Sequence, residues 1–183
     1  MSFTNSGVVF DFSLEILGFQ SNLLEGTIPS TIFDLSSLSI FGFSNNTRMG
    51  GTISTDILKL TQLTRFEASN TQLSGTIPDA MYQLPRLADI VVRNASMSGP
   101  LKEDISARHA TLRQLELESN SFTGALPTAL DVLTAMETLL LEDNMFTGTI
   151  SDTVCDERGL GFMNLYRLRA DCNIECNCND ACP

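Results

Sequence analysis

A unit of 24 or 25 residues recurs six times in this 183-residue chain, and no other feature constrains the fold as much. Its core is Leu-x-x-Leu-x-Leu-x-x-Asn, followed by an apolar residue, Gly, a second apolar residue and often Pro. The leading positions are Leu14, Leu38, Leu63, Leu87, Leu112 and Met136, with a degenerate seventh copy at Leu165. The repeat glycines are Gly26, Gly51, Gly75, Gly99, Gly124 and Gly148, and Pro29, Pro78 and Pro127 close three of the copies.

The pattern dictates a physical unit. Alternation in Leu-x-Leu predicts a short strand with its leucines inward and its x positions outward. A unit this small cannot bury its apolar face alone, so the units must stack and cover one another. An inward Asn at the end of each strand can satisfy peptide groups of neighbouring turns, which would be costly unpaired. The glycines mark a bend that needs positive φ or close backbone approach. The prolines then open a returning segment, expected as a short helical or 3-10 turn.

These residues resemble leucine-rich repeat proteins of the plant-specific type, whose mark is Gly-x-Ile-Pro. It reads Gly26-Thr27-Ile28-Pro29 and Gly75-Thr76-Ile77-Pro78 here, and more loosely Gly124-Ala125-Leu126-Pro127. The ending from Cys155 through Cys172 to Cys178 is similar to the Cys-rich C-terminal caps of diatom leucine-rich repeat proteins. The resemblance covers residues 14–173. It implies an α/β repeat solenoid, a right-handed superhelix with a parallel β-sheet on the concave face and short helical or 3-10 turns on the convex face. It further implies a chain that is extracellular and binds proteins or peptides.

The chain divides accordingly. Residues 1–13 form a partial N-terminal repeat or cap remnant. Residues 14–164 hold the six repeats, the last with an extended connection, and 165–183 the degenerate terminal repeat with a Cys-rich cap. The family's paired N-terminal cap cysteines are missing, which suggests truncation of a longer protein. The Asn position is Thr71 in the third repeat and Ala95 in the fourth, with Asn70 and Asn94 one place early. A locally weakened Asn ladder is expected there.

Charge narrows the function. With 22 acidic against 11 basic residues, the net charge is −11, which argues against phosphate-backbone binding. One histidine leaves little material for a His-based triad or a multi-His metal site. Read onto the strands, the outward positions place Arg93, Arg113, Glu116, Glu118, Glu137, Glu142, Asp143, Arg167 and Arg169 on the concave face. An acidic patch flanked by arginines thus occupies its C-terminal half, and these nine residues are the expected ligand-binding set. A solvated charged face carries the same pattern. Oxygens of Glu116, Glu118, Glu142 and Asp143 also suit Ca²⁺ weakly, and a carboxylate pair suits glycosidase chemistry. An open sheet offers neither a dry pocket.

The remaining signals concern context. Cys155, Cys172, Cys176, Cys178 and Cys182 suit disulfides that close the last coil in an oxidising compartment, although four of them could also hold Zn²⁺. Asn45-Asn46-Thr47 and Asn94-Ala95-Ser96 make Asn45 and Asn94 N-glycosylation candidates. His109 is expected on a convex loop without a catalytic role. Thr27, Thr52, Thr76 and Thr149 follow the repeat glycines in a file that resembles an ice-ordering surface, interrupted by Pro100 and Ala125; β-propensity explains it equally.

The resulting expectation is a non-enzymatic, receptor-like recognition domain without cofactor or resident metal. Its partner would be a protein or peptide, basic if the acidic patch is the contact, and neither nucleic acid nor a membrane span is implicated. The chain is expected to be secreted or at the cell surface, its signal peptide removed or lying in a truncated part. Alternatives are a structural or adhesive spacer, an ice-binding solenoid and a glycan hydrolase.

Overall fold

The computed structural model describes residues 2–3, 13–106, 111–150, 165, 167–171 and 175–176. Each repeat contributes one strand to a seven-stranded parallel sheet: Ile16–Gly18, Ile40–Gly42, Arg65–Glu67, Asp89–Val91, Gln114–Glu116, Thr138–Leu140 and Arg167–Arg169. The register keeps equivalent residues side by side, as in Leu115 beside Ile90 and Leu139. The fold is the expected leucine-rich repeat solenoid, and this sheet is its concave face.

A second parallel sheet of seven strands runs along the flank. It is built from Ser2–Phe3, Glu25–Thr27, Arg48–Gly51, Gln72–Gly75, Ser96–Gly99, Ser121–Ala125 and Met145–Thr147. Thr149–Ile150 pairs separately with Glu175–Cys176. The chain returns through 3-10 turns at Ser30–Asp34, Thr55–Lys59, Met81–Gln83, Glu103–Ser106 and Thr128–Val132. Pro29 and Pro127 stand at the N-caps of two of them in extended geometry, and their carbonyls accept the first turn's N–H.

One continuous core fills the space between these layers. The inward pairs of the inner concave strands are buried, from Phe41 and Phe43 through Leu115 and Leu117 to Leu139 and Leu141, while Phe19 and Leu168 on the two end strands are partly buried. Phe41, Phe43 and Phe66 form an aromatic cluster with ring centroids 5.2–5.9 Å apart, two of the contacts edge-on. Phe122 and Phe146 stack at 5.8 Å in the C-terminal half.

All six repeat glycines have positive φ. At Gly99 a second constraint appears: a Cβ would lie 2.7 Å from the Thr76 methyl of the preceding repeat. The glycine is needed both for its backbone conformation and for the close approach of the next coil.

The asparagine ladder is real and interrupted. Asn46 is fully buried; its Nδ2 donates to the Phe43 and Phe19 carbonyls at 2.7 and 2.8 Å, and its Oδ1 accepts from Leu24 N–H at 3.0 Å. Asn120 and Asn144 repeat this pattern, reaching Val92 and Leu117 in the preceding coils. Between them Thr71 Oγ1 donates to the Ala68 carbonyl at 2.8 Å within its own repeat, and Met49 N–H turns to Asn46 O instead. The weakening expected at Thr71 and Ala95 is thus seen in the hydrogen bonds.

Asn70 and Asn94 prove not to be displaced ladder residues. They belong to a column of left-handed residues: Ser21, Asn45, Asn70, Asn94, Ser119 and Asp143, with φ between 48° and 60°. Asn and Asp, which hold four of the six places, tolerate this conformation better than most L-residues. Their side chains form an outer ladder. Asn94 Nδ2 donates to Asn70 Oδ1 at 2.8 Å and Asn70 Nδ2 to Asn45 Oδ1 at 2.6 Å.

Candidate recognition surface

Outward residues of the concave strands stand in columns because the register is constant. One column reads Gly18, Gly42, Glu67, Val91, Glu116, Leu140 and Arg169; the next reads Gln20, Ser44, Ser69, Arg93, Glu118, Glu142 and Asp171. Charge in these columns begins at Glu67 and is densest in the later repeats, where the sequence places it.

The expected acidic patch is internally paired. Arg93 lies 3.4 Å from Glu118 Oε1 and 3.6 Å from Glu116 Oε2, and Arg169 lies 3.6 Å from Glu142 Oε1. Arg113 grips Glu137 with two hydrogen bonds of 2.7 and 2.9 Å, and that fork holds the Glu137 carboxyl below the usual carboxylate range. The Glu116, Glu118 and Glu142 side chains are only 13–17% exposed, whereas Arg93 and Arg169 are 45% and 58% exposed. An incoming partner therefore meets guanidinium groups first and carboxylates below them.

Two atoms stand apart. Glu118 Oε2 and Glu142 Oε2 are closed off from solvent and have no hydrogen-bond partner. Burial pushes the Glu118 carboxyl up, opposed by its own backbone N–H and by Arg93.

Of the other expected residues, Asp143 sits in the left-handed column and accepts from Ser119 Oγ at 3.1 Å. Its backbone N–H donates to Asp171 Oδ1 at 2.7 Å, and Asn144 N–H to Asp171 Oδ2 at 2.9 Å, so Asp171 ends the last described coil. Arg167 pairs in register with Thr138 at the terminal strand. The charged set thus comprises two ion-paired groups, Arg93 with Glu116 and Glu118 and Arg169 with Glu142, the Arg113–Glu137 pair, and Asp143 on the rim.

A second cluster was absent from the expected site. Arg65 forms ion pairs with Glu67 and with Asp89, the latter at 2.8 Å, and donates to Gln114 Oε1 at 3.3 Å. Gln20 extends it by donating to Glu67 Oε2 at 3.3 Å. The signal was present, since Arg65, Glu67 and Asp89 occupy outward positions; only their separation from the acidic patch hid them.

Near the N-terminal repeats a groove of about 630 Å³ is lined by Glu15, Ser36, Ser39, Thr61, Thr64 and Arg86 among others. Its Ser39 and Thr64 hydroxyls are engaged, donating to the Glu15 and Ser39 carbonyls at 2.9 Å. Among the described residues, no group of three or more His, Cys, Asp or Glu side chains is arranged to hold a metal ion. Cys155, Cys172, Cys178, Cys182 and His109 lie outside the described residues, and Cys176 is described only as backbone in its strand. Asn45 and Asn94 are exposed, and the amide nitrogen of each already donates a hydrogen bond, Asn45 to Ser21 Oγ at 3.3 Å.

The flank sheet presents different chemistry. Its middle strands expose Gln72, Ser96 and Ser121 and partly expose Ser74, Ser98 and Thr123, and the file of Thr27, Thr52 and Thr76 borders them. The Thr27 and Thr76 methyls rest close against the glycines of the following repeats.

No family model matches the chain, and no curated protein matches it by sequence. Solved structures do match. One is the leucine-rich repeat ectodomain of the Arabidopsis thaliana membrane receptor kinase GASSHO1/SCHENGEN3, in complex with CASPARIAN STRIP INTEGRITY FACTOR 2. It is 26% identical, with a TM-score of 0.77, over 86% of this chain and 18% of that one. Pollen Receptor Kinase 3 is 25% identical, with a TM-score of 0.76, over 92% of this chain and 79% of that one. A plant ice-binding protein is 26% identical, with a TM-score of 0.72, over 85% of this chain and 47% of that one. The chain spans about a fifth to a quarter of the receptor kinase and peptide hormone receptor structures that head these matches. What it shares with all of them is the leucine-rich repeat solenoid.

Proposed function

We propose that this chain is a non-enzymatic recognition domain, outside the cell or on its surface, that binds a protein or peptide along the concave face. The observation that carries this reading is the charged band of the later repeats. Exposed arginines alternate there with largely buried glutamates on a regular strand spacing. Such a surface suits an extended partner whose own charges exchange with the existing pairs, with basic groups meeting the glutamates. The plant receptor structures, solved in complex with peptide hormones or factors, support the class of partner. No helix among the described residues is long and apolar enough to cross a membrane.

The test is affinity capture with the chain and with a Glu118→Lys/Glu142→Lys double variant, using Glu25→Lys on the flank sheet as control. Loss of one specific partner from the double variant alone supports recognition. A partner retained by both variants moves the contact elsewhere, and failure to capture any partner favours a rigid spacer. Disulfides in the Cys-rich cap and glycans at Asn45 and Asn94 belong to the same reading. Intact mass of secreted protein before and after reduction and deglycosylation tests both.

A second reading is ice binding on the flank sheet. The uncharged Ser/Thr surface across its middle strands favours it, together with the similarity to a plant ice-binding protein. Thermal hysteresis that disappears in Thr123→Lys while the melting temperature holds would establish it. Absence of hysteresis in the unaltered chain would dismiss it.

A further inference from the structure

We propose that the concave face of the first three repeats holds a slot for one lysine side chain of a partner, which Gln20 fills in the free chain and yields on binding. The inference rests on the recognition reading above and adds a contact outside the charged band of the later repeats. The floor of the slot is backbone. Gly18 and Gly42 stand side by side in register, at outward positions of the first two concave strands. Neither has the positive φ of the repeat glycines, so backbone conformation does not require glycine at either place. Glycine inside a strand weakens it and marks a place of close approach.

The group that approaches is the Gln20 side chain. A Cβ on Gly18 would lie 2.9 Å from Gln20 Oε1; one on Gly42 would collide with Gln20 Nε2 and lie 3.4 Å from Glu67 Oε2. Gln20 thus runs from the first repeat across the second and donates to Glu67 Oε2 of the third at 3.3 Å. Gly42 is buried although it faces outward, whereas Gln20 above it is exposed. Arg65 holds Glu67 by its other oxygen, Oε1. Two residues before the glycines, and on the same face, stand Ile16, which is 60% exposed, and Ile40, which is partly exposed.

A slot floored by peptide groups, apolar on one side and ended by a single available carboxylate oxygen has the chemistry of a lysine. The aliphatic stem covers Ile16 and Ile40, and the ammonium takes the place of the Gln20 amide on Glu67 Oε2. An ammonium adds charge attraction to a hydrogen bond that the neutral amide makes without it. Its point-like charge suits one oxygen, whereas an arginine fork calls for two and Arg65 already holds one of them.

The test is an NMR titration of the ¹⁵N-labelled full chain with the peptide acetyl-Gly-Lys-Gly-amide, compared with its glutamine and arginine counterparts. The lysine peptide should shift the Gly18 and Gly42 amide signals saturably, the arginine peptide should bind more weakly, and the glutamine peptide should leave both signals in place. Gln20→Ala empties the slot and should tighten lysine binding about fivefold without lowering the melting temperature. Glu67→Gln removes the charge and should abolish the shifts at both glycines. Gly42→Ala, which puts a methyl into the slot on a backbone that accepts it, should do the same and decides the matter should Glu67→Gln not fold. Shifts confined to the Glu116–Glu142 band overturn the proposal, as does equal binding of the lysine and glutamine peptides. A Gln20→Ala variant that binds no tighter, or that melts markedly lower, also overturns it, since Gln20 would then be a structural cover. These outcomes are read without the natural partner, so they stand whether or not affinity capture finds one.

Discussion

The concave and flank sheets arise from the same repeats and contain seven strands each, yet their surfaces differ in kind. The concave sheet carries glycine, serine, valine, arginine and glutamate at equivalent outward positions. The flank sheet is almost uniform, small and uncharged over its middle strands. The reason is packing distance. Outward side chains of the concave face meet mainly one another, as Arg93 meets Glu118 and Arg65 meets Asp89, so residues of different size and charge occupy equivalent positions. On the flank, Thr76 rests its methyl where a Cβ on Gly99 would stand, and Thr27 does the same at Gly51. Uniformity on the flank therefore has a structural cause before any functional one, whereas charge on the concave face has none. This difference teaches where to look for selection by a partner, and it tempers the ice-binding reading.

The comparison can be broken by substitution. Leu115 lies fully buried beneath both sheets, and Leu115→Ala should cost about 2–5 kcal/mol through the cavity left in a single-layer core. Chemical denaturation measures it, and a smaller loss would mean that the coils slide to fill the space. On the flank, Gly99→Ala should cost about 1–3 kcal/mol, from positive φ and from the displaced Thr76 methyl. A neutral Gly99→Ala would remove the structural explanation for the small residues there.

At the edge of the concave sheet the expected sign reverses. Ala95→Asn restores the missing rung between Asn46 and Asn120, and offers Leu73 N–H a better acceptor than the present 3.4 Å contact with Thr71. It should stabilise by about 0.5–1.5 kcal/mol. No gain would show that the fourth coil cannot place the side chain as its neighbours do.

The smallest effect belongs to the concave charges. Arg113→Gln removes the fork on Glu137 with little change in melting temperature, since exposed pairs contribute little. Glu137 has its folded value lowered, so its contribution is present above the unfolded value and is lost as the pH falls through the folded one. The difference between Arg113→Gln and the parent should accordingly vanish at low pH. A large loss at neutral pH would make the concave charges structural and blur the contrast between the sheets.

Much of this molecule was legible in the residues. Leu115, Leu117, Asn120 and Gly124 each sit in the role their spacing implies, and Thr71 and Ala95 interrupt the ladder where their side chains lack a carboxamide. The acidic residues of the fifth and sixth repeats do gather on one face. The flanking arginines were legible too, but not which carboxylate each meets: Arg93 reaches Glu118, Arg113 reaches Glu137 and Arg169 reaches Glu142, each from a neighbouring repeat across the sheet. What Asn70 and Asn94 do instead was hidden for a related reason. Their role depends on a left-handed backbone and on partners about 24 residues away, and neither is visible in a single repeat.

The sequence by itself determined the repeat, its length and the inward and outward sorting of residues, because a unit too small to fold alone leaves stacking as the one way to bury its leucines. Only the tertiary structure decided which charges meet, which threonine rests on which glycine, and that Glu118 and Glu142 keep a buried oxygen each without a donor. Those outcomes depend on distances between coils of a few ångströms, and strand register sets such distances while spacing along the chain does not.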